Sequence, residues 1–437
     1  LMSYYILPKI NINYVLKPTI YTVMDKLSSY ISTSLINYVN ESEKILQAQF
    51  ELEANSNVSL KTLHQIVHNY DFLFSCVSGT ESPVTSVDTK HPIYFDITEI
   101  FQTLKIEEHL PEEQCYMLCC GKNSNSATQA IKAQREDIND NIATLDQYKS
   151  YNNLQLYSCA RSVLEYYDNF KDSEKFKKNC HFLYFEEGDR LFQDTNDYLL
   201  YLIKSILVLD EYLIKGGCMI LKINAVFYKP IIDLIYVISH MFQKIYIMKP
   251  NASNVMLDER YLVCKSFIGI QKGITKSLNK MYNSLFPVKN DIVIGAFIEN
   301  KIHYYFLNKL EESNVIIGQQ KLDACSQLIT LLKSKNKIEK IEIIQKHNIQ
   351  KCIYWCEKHK VPYHKSSDKS SNIFLPTKTM LLNQPDSQDD EEVDLDNMFY
   401  SYLMKNYSLE DYSDSEDEID DLDIIKFEKI PKTKKKV

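Results

Sequence analysis

Apolar residues gather into short blocks along the middle of the chain, and their spacing predicts an α/β core. Cys218–Ile223, Ile245–Met248 and Tyr261–Cys264 are apolar runs of strand length. Pro230–Phe242 repeats its apolar residues at helical spacing, with proline where a first helical turn accepts it. Gly216-Gly217 predicts a tight turn ahead of Cys218. Strand, helix, strand and strand over so few residues form the edge of an α/β sheet. Upstream, Cys115–Cys120 and His181–Phe185 read as strands, and Tyr94–Leu104 and Asn196–Leu213 as helices. Outside this block the periodicity predicts helices over Leu27–Glu53, Ser59–Phe74, Lys276–Leu285, Ser326–Lys333, Ile338–His347 and Asn348–Pro362. Ile292–Ile298 and Ile302–Phe306 read as a hairpin around Glu299-Asn300, and residues 1–20 as an extended arm.

Two polar residues interrupt the apolar strands. Lys222 lies inside Cys218–Ile223, where a lysine costs free energy unless it is paired or used. Glu259 stands at the start of the strand expected to run antiparallel beside it, and is its natural partner.

The block from Gly216 to Phe267 resembles the carboxyl-terminal half of the FtsJ/RrmJ-like ribose 2′-O-methyltransferases, including the cap-specific and large-DNA-virus members. The motifs that carry the likeness are Gly216-Gly217, Ile220-Leu221-Lys222, Lys249-Pro250, Ser253 and Glu259-Arg260-Tyr261. The resemblance implies a Rossmann-like methyltransferase sheet that uses S-adenosylmethionine on RNA. A ribose 2′-hydroxyl is a very weak acid, so the reaction needs a nearby base or a strong anion stabiliser. By resemblance Lys222 is that base, Glu186 its flanking acid (Glu187 if the alignment carries a one-residue gap) and Glu259 its orienter. Two departures follow from the same comparison. By resemblance Asp96 occupies the place of the family's first lysine, with Lys90 or Lys61 as the candidates to reach the site instead. The glycine-rich cofactor loop keeps Gly121 but has Lys122, Asn123 and Ser124 after it, and Met117 where an aspartate is expected. Glycines let backbone approach a ligand closely, so Gly121, Asn123 and Ser124 are expected to bind S-adenosylmethionine weakly or not at all. A non-catalytic protein on the same fold, an RNA-binding subunit or a virion or assembly component, is the alternative.

The 437 residues divide into an arm and helices (1–87), the methyltransferase-like domain (88–267), a mostly helical extension (268–365) and a linker with an acidic tail (366–437). The overall net charge of −8 is uneven: Asp386–Asp423 holds sixteen acids against Lys405 alone, and six lysines follow with one glutamate. Residues 1–385 are therefore near neutral, without a strong footprint for nucleic acid. A local basic face remains, at Lys171, Lys175, Lys177 and Lys178 or at Lys265, Lys272, Lys276 and Lys280. The tail is expected to be disordered and to dock its aromatic island, Met398–Tyr407, on a basic surface of a protein partner or of its own core. The final Lys-Thr-Lys-Lys-Lys reads either as a nuclear signal or as a solubilising end. No signal segment or membrane span is expected, and eleven scattered cysteines suit a reducing, cytoplasmic setting, or a viral factory or virion for a viral member. Cys352, Cys356, His359 and His364 fit no strong zinc signature. No metal is expected; the cysteines read as small core residues and Trp355 as a core anchor.

Overall fold

A computed structural model describes residues 4–9, 15–23, 27–52, 65–76, 83–89, 91–135, 139–145, 173–186, 195–271, 273–285, 293–334 and 337–364. The acidic tail, its aromatic island, Lys61, Lys90, Lys171, Glu187 and Lys272 lie outside these residues.

In chain order the strands are β1 (Tyr4–Ile6), β2 (Pro18–Val23), β3 (Tyr116–Cys120), β4 (Asn141–Leu145), β5 (Cys180–Phe185), β6 (Leu213–Ile223), β7 (Phe242–Met248), β8 (Arg260–Phe267) and β9 (Val293–Ile298). The helices are α1 (Thr33–Leu52), α2 (Ile93–Leu104), α3 (Ser124–Gln134), α4 (Thr195–Tyr212), α5 (Lys229–Ser239), α6 (Ile274–Leu285), α7 (Tyr304–Leu332) and α8 (Lys337–His359), and a single helical turn, Ser173–Phe176, precedes β5.

Seven strands form one sheet in the order β1-β7-β8-β6-β5-β3-β4. From β4 to β6 neighbours are parallel; β8 runs antiparallel between β6 and β7, and β1 antiparallel on the edge. This is the expected Rossmann-like methyltransferase sheet. Its strands are buried on both faces, which is why they read as near-continuous apolar runs. One face carries Leu118, Leu183, Leu221 and Leu262 under α4, α5 and α6. The other carries Met117, Phe182, Ile220 and Val263 under α2, α3 and α8. Chain order reverses at β3, whose sequence neighbours lie to opposite sides, so the crevice at the carboxyl ends of β3 and β5 is the switch point where such sheets bind ligands.

Two expectations need correction. Gly216-Gly217 does not precede β6 but lies within it, as a bulge: β5 advances from Cys180 to Phe182 while β6 advances from Leu213 to Cys218. A Cβ on Gly217 would stand 2.7 Å from the Leu213 side chain and 3.0 Å from the His181 carbonyl, so the bulge needs glycine there. The predicted hairpin also fails. Residues after His303 enter α7, twenty-nine residues long, and β9 pairs instead with β2 from the amino-terminal arm. Local apolar spacing cannot reveal a strand partner 270 or more positions away. The arm is extended as expected, with β1 on the main sheet and β2 against β9. Of Ser59–Phe74 the described part is α-helical at residues 65–67 and holds a 3₁₀ turn at Asp71–Leu73.

Candidate active site

At its carboxyl end β6 places Lys222 opposite Tyr261 of β8, and Glu259 immediately precedes that strand. The Lys222 Nζ lies 2.5 Å from a Glu259 carboxylate oxygen, with 5% and 10% of the two side chains exposed. The sequence-predicted pair is therefore brought together, and it is buried. The last β5–β6 partners are Phe185 and Leu221, and Glu186 follows one step on, with its carboxylate turned to the Asn123 backbone N–H.

Helix α2 covers this end of the sheet and turns Asp96 inward. One Asp96 oxygen accepts from Ser253 Oγ at 2.9 Å, the other from Tyr261 Oη at 2.7 Å. Burial, reinforced by Glu259, pushes the Asp96 carboxyl up to about 7, against the pull of Tyr261, Lys222 and Ser253. Asp96, expected from the sequence resemblance to stand in place of the family's first lysine, thus enters the site as a carboxyl group. Sequence reasoning assigned no role to Lys249, although its Lys-Pro motif was visible. Lys249 is buried and donates to the carbonyls of Leu257 at 2.5 Å and Glu259 at 3.0 Å. Burial first, with Arg260, brings its ammonium down to about 8, opposed by Glu259, Asp258 and Asp96. Lys249 therefore supplies a second cation beside carboxylates that would otherwise outnumber Lys222.

The other three predicted residues form a neighbouring group at the switch point. Gly121 follows β3 at φ +143°, and a Cβ there would fall 2.2 Å from Glu186 Cγ, so glycine lets Glu186 lie against the loop. The Glu186 carboxylate accepts from the Asn123 backbone N–H at the start of α3. Asn123 Nδ2 and Ser124 Oγ are buried at that helix start without a hydrogen-bond partner among the described residues, as is Tyr184 Oη on the strand that leads to Glu186. Unpartnered buried donors cost about 1–3 kcal/mol each, and an anionic group at a helix amino terminus satisfies them. The two donors and the adjacent carboxylate match the carboxylate and ammonium of an amino-acid zwitterion. On that chemistry the residues present fit the methionine end of S-adenosylmethionine, although Glu186 takes up the space that loop glycines leave for close backbone approach.

Cys352, Cys356 and His359 lie in the core on α8, where burial raises both thiols, Cys356 to about 12. Among the described residues no group of three His, Cys, Asp or Glu is suited to a metal, and no helix is long and apolar enough to cross a membrane.

The Asp96 shift has a consequence for stability. An ordinary aspartate ionises near 3.8, so between about pH 4 and 7 the folded chain keeps a proton that the unfolded chain has lost. Stability therefore falls as pH rises through that window, by up to roughly 4 kcal/mol. Asp96→Asn is expected to gain on the native protein at pH 8 relative to pH 4.5 in urea denaturation. An equal difference at both pH values contradicts the assignment.

Residues 96–267 match the model of the FtsJ-like methyltransferase family. The cap-specific mRNA (nucleoside-2′-O-)-methyltransferase 1 of Trypanosoma brucei brucei is 27% identical over 132 residues, 29% of this chain and 35% of that protein. The protein of the same name from Dictyostelium discoideum is 32% identical over 152 residues, 34% of this chain and 19% of that protein. The aligned segments thus span about a third and a fifth of these relatives' lengths.

Proposed function

We propose that residues 96–267, an FtsJ-like methyltransferase domain, transfer a methyl group to a ribose 2′-hydroxyl of RNA, as the names of the cap-specific relatives suggest for mRNA. The observation that carries this reading is the buried Lys222–Glu259 pair at the carboxyl end of β6, beside the switch-point crevice. S-adenosylmethionine, when bound, supplies a methyl group made electrophilic by its sulfonium. Asn123 and Ser124 would hold its carboxylate, and Glu186 its ammonium. Lys222 meets the 2′-oxygen and stabilises the negative charge that grows on it as its proton passes through the Lys222 amine to the Glu259 carboxylate. Glu259 fixes the direction of the Lys222 amine, and Lys249 fixes Glu259 through its backbone carbonyl. Asp96 holds Ser253 and Tyr261 around the same end of the sheet.

Calorimetric titration with S-adenosylmethionine tests the cofactor assignment. The expected Kd is on the order of 100 μM, weaker than micromolar because Asn123 and Ser124 replace loop glycines. Ser124→Ala and Asn123→Ala should each weaken binding about tenfold, and unchanged affinity in both variants would refute the assignment.

A second reading rests on one observation. With Asp96 where the family has lysine, the site carries a carboxyl group in place of a cation, which favours a non-catalytic RNA-binding or assembly role. That reading predicts RNA affinity without methyl transfer.

A further inference from the structure

Helix α8 lies outside the family-matched segment, yet it reaches the site through one buried carboxylate. Glu99, one turn after Asp96 on α2, is 1% exposed. One of its oxygens accepts from the Asn251 backbone N–H at 3.0 Å and from Asn251 Nδ2 at 2.6 Å. The other accepts from the Ala252 N–H at 3.2 Å and from Trp355 Nε1 at 3.1 Å. Trp355, the chain's single tryptophan, is 3% exposed, with its ring edge-on to Phe95 at 5.7 Å and against His359 at 4.4 Å. The loop held by Glu99 runs from Lys249, which bonds the Glu259 carbonyl, to Ser253, which bonds Asp96.

We infer that Trp355 and Glu99 are a positioning pair through which α8 fixes the 249–253 loop beside Lys222. A buried carboxylate needs donors on both oxygens, and each donor it loses frees it to turn. Three of its four donors belong to the loop. The indole is the one that ties it to a separate element, and α8 is itself anchored: Asn348 donates to the Gln65 and Ile66 carbonyls at 3.0 and 3.1 Å, and Gln102 to the His359 carbonyl at 2.9 Å. Loss of the indole N–H therefore loosens the loop and leaves the sheet intact. The effect on chemistry rests on the proposed function; the hold on the loop does not.

The test compares full-length protein with Trp355→Phe, which keeps an aromatic ring but removes the donor, and with Glu99→Gln. Hydrogen exchange is read at the amides of Asn251 and Ala252 and, as an internal control, at those of β6. Both variants are expected to exchange about tenfold faster at the loop, with β6 unchanged. Methyl transfer to capped RNA should lose about tenfold in kcat while the S-adenosylmethionine affinity stays the same. Unchanged loop exchange, an equal rise in β6, or a faster loop with kcat unchanged would each overturn the inference. If the native protein transfers no methyl group, the proposed function fails, and the exchange result alone decides the positioning role.

Discussion

Lys222→Met is expected to abolish methyl transfer and to destabilise the fold by about 3–5 kcal/mol, the cost of breaking a buried ion pair from one side. The substitution leaves Glu259 buried without the ammonium now 2.5 Å away, and it removes the cation that draws down the Asp96 carboxyl. Stability and chemistry can be separated by a second change. Lys222→Met combined with Glu259→Gln removes the stranded charge, so it should recover more than half of the lost stability in urea denaturation. Activity should not return, because no cation then meets the 2′-oxygen. A double variant that regains activity would show that Lys222 serves the fold alone.

Lys321→Met is the second large effect, and it acts from outside the family-matched segment. Lys321 on α7 is 1% exposed and lies 2.6 Å from Glu43 on α1 and 3.0 Å from Asp258. Burial alone would raise the Asp258 carboxyl, but Lys321 and Arg260 outweigh it and hold the group below the usual range. Arg260, itself buried, bonds Asn314 of α7 at 2.7 Å. Asp258 directly precedes Glu259, so the helices of both extensions grip the turn that carries the Lys222 partner. Removing Lys321 should cost about 3–5 kcal/mol, because Glu43 loses its buried cation. Adding Glu43→Gln should restore about half of that. A loss under 1 kcal/mol by urea denaturation would mean that water reaches the triad and screens it.

The sheet was legible in the sequence because strands buried on both faces are apolar without interruption, as at Met219–Leu221 and Leu262–Cys264. Lys222 stood out for the same reason, as a cation in such a run, and Glu259 followed from the antiparallel order. What stayed hidden depends on contacts between distant segments. The β2–β9 pairing joins residues far apart in sequence, and α7 is weakly patterned because its residues serve several neighbours. Lys249 appeared only as half of a Lys-Pro motif, since its place under Glu259 depends on how the 249–257 loop folds back. Asp96 was visible as a departure from the family pattern, but its bonds to Ser253 and Tyr261 span more than 150 positions. Glu99 and Trp355 are separated still further.

The central claim is that this domain methylates a ribose 2′-oxygen with Lys222 at the reacting hydroxyl. It is tested most directly by a single-turnover assay with full-length protein, S-adenosylmethionine labelled on the transferred methyl, and a short 5′-capped RNA. The account predicts label on a ribose 2′-oxygen with the native protein and none with Lys222→Met. The same RNA carrying a 2′-deoxy sugar at the target position should take up no label. Capped RNA that binds the native protein at saturating cofactor yet acquires no label would contradict it.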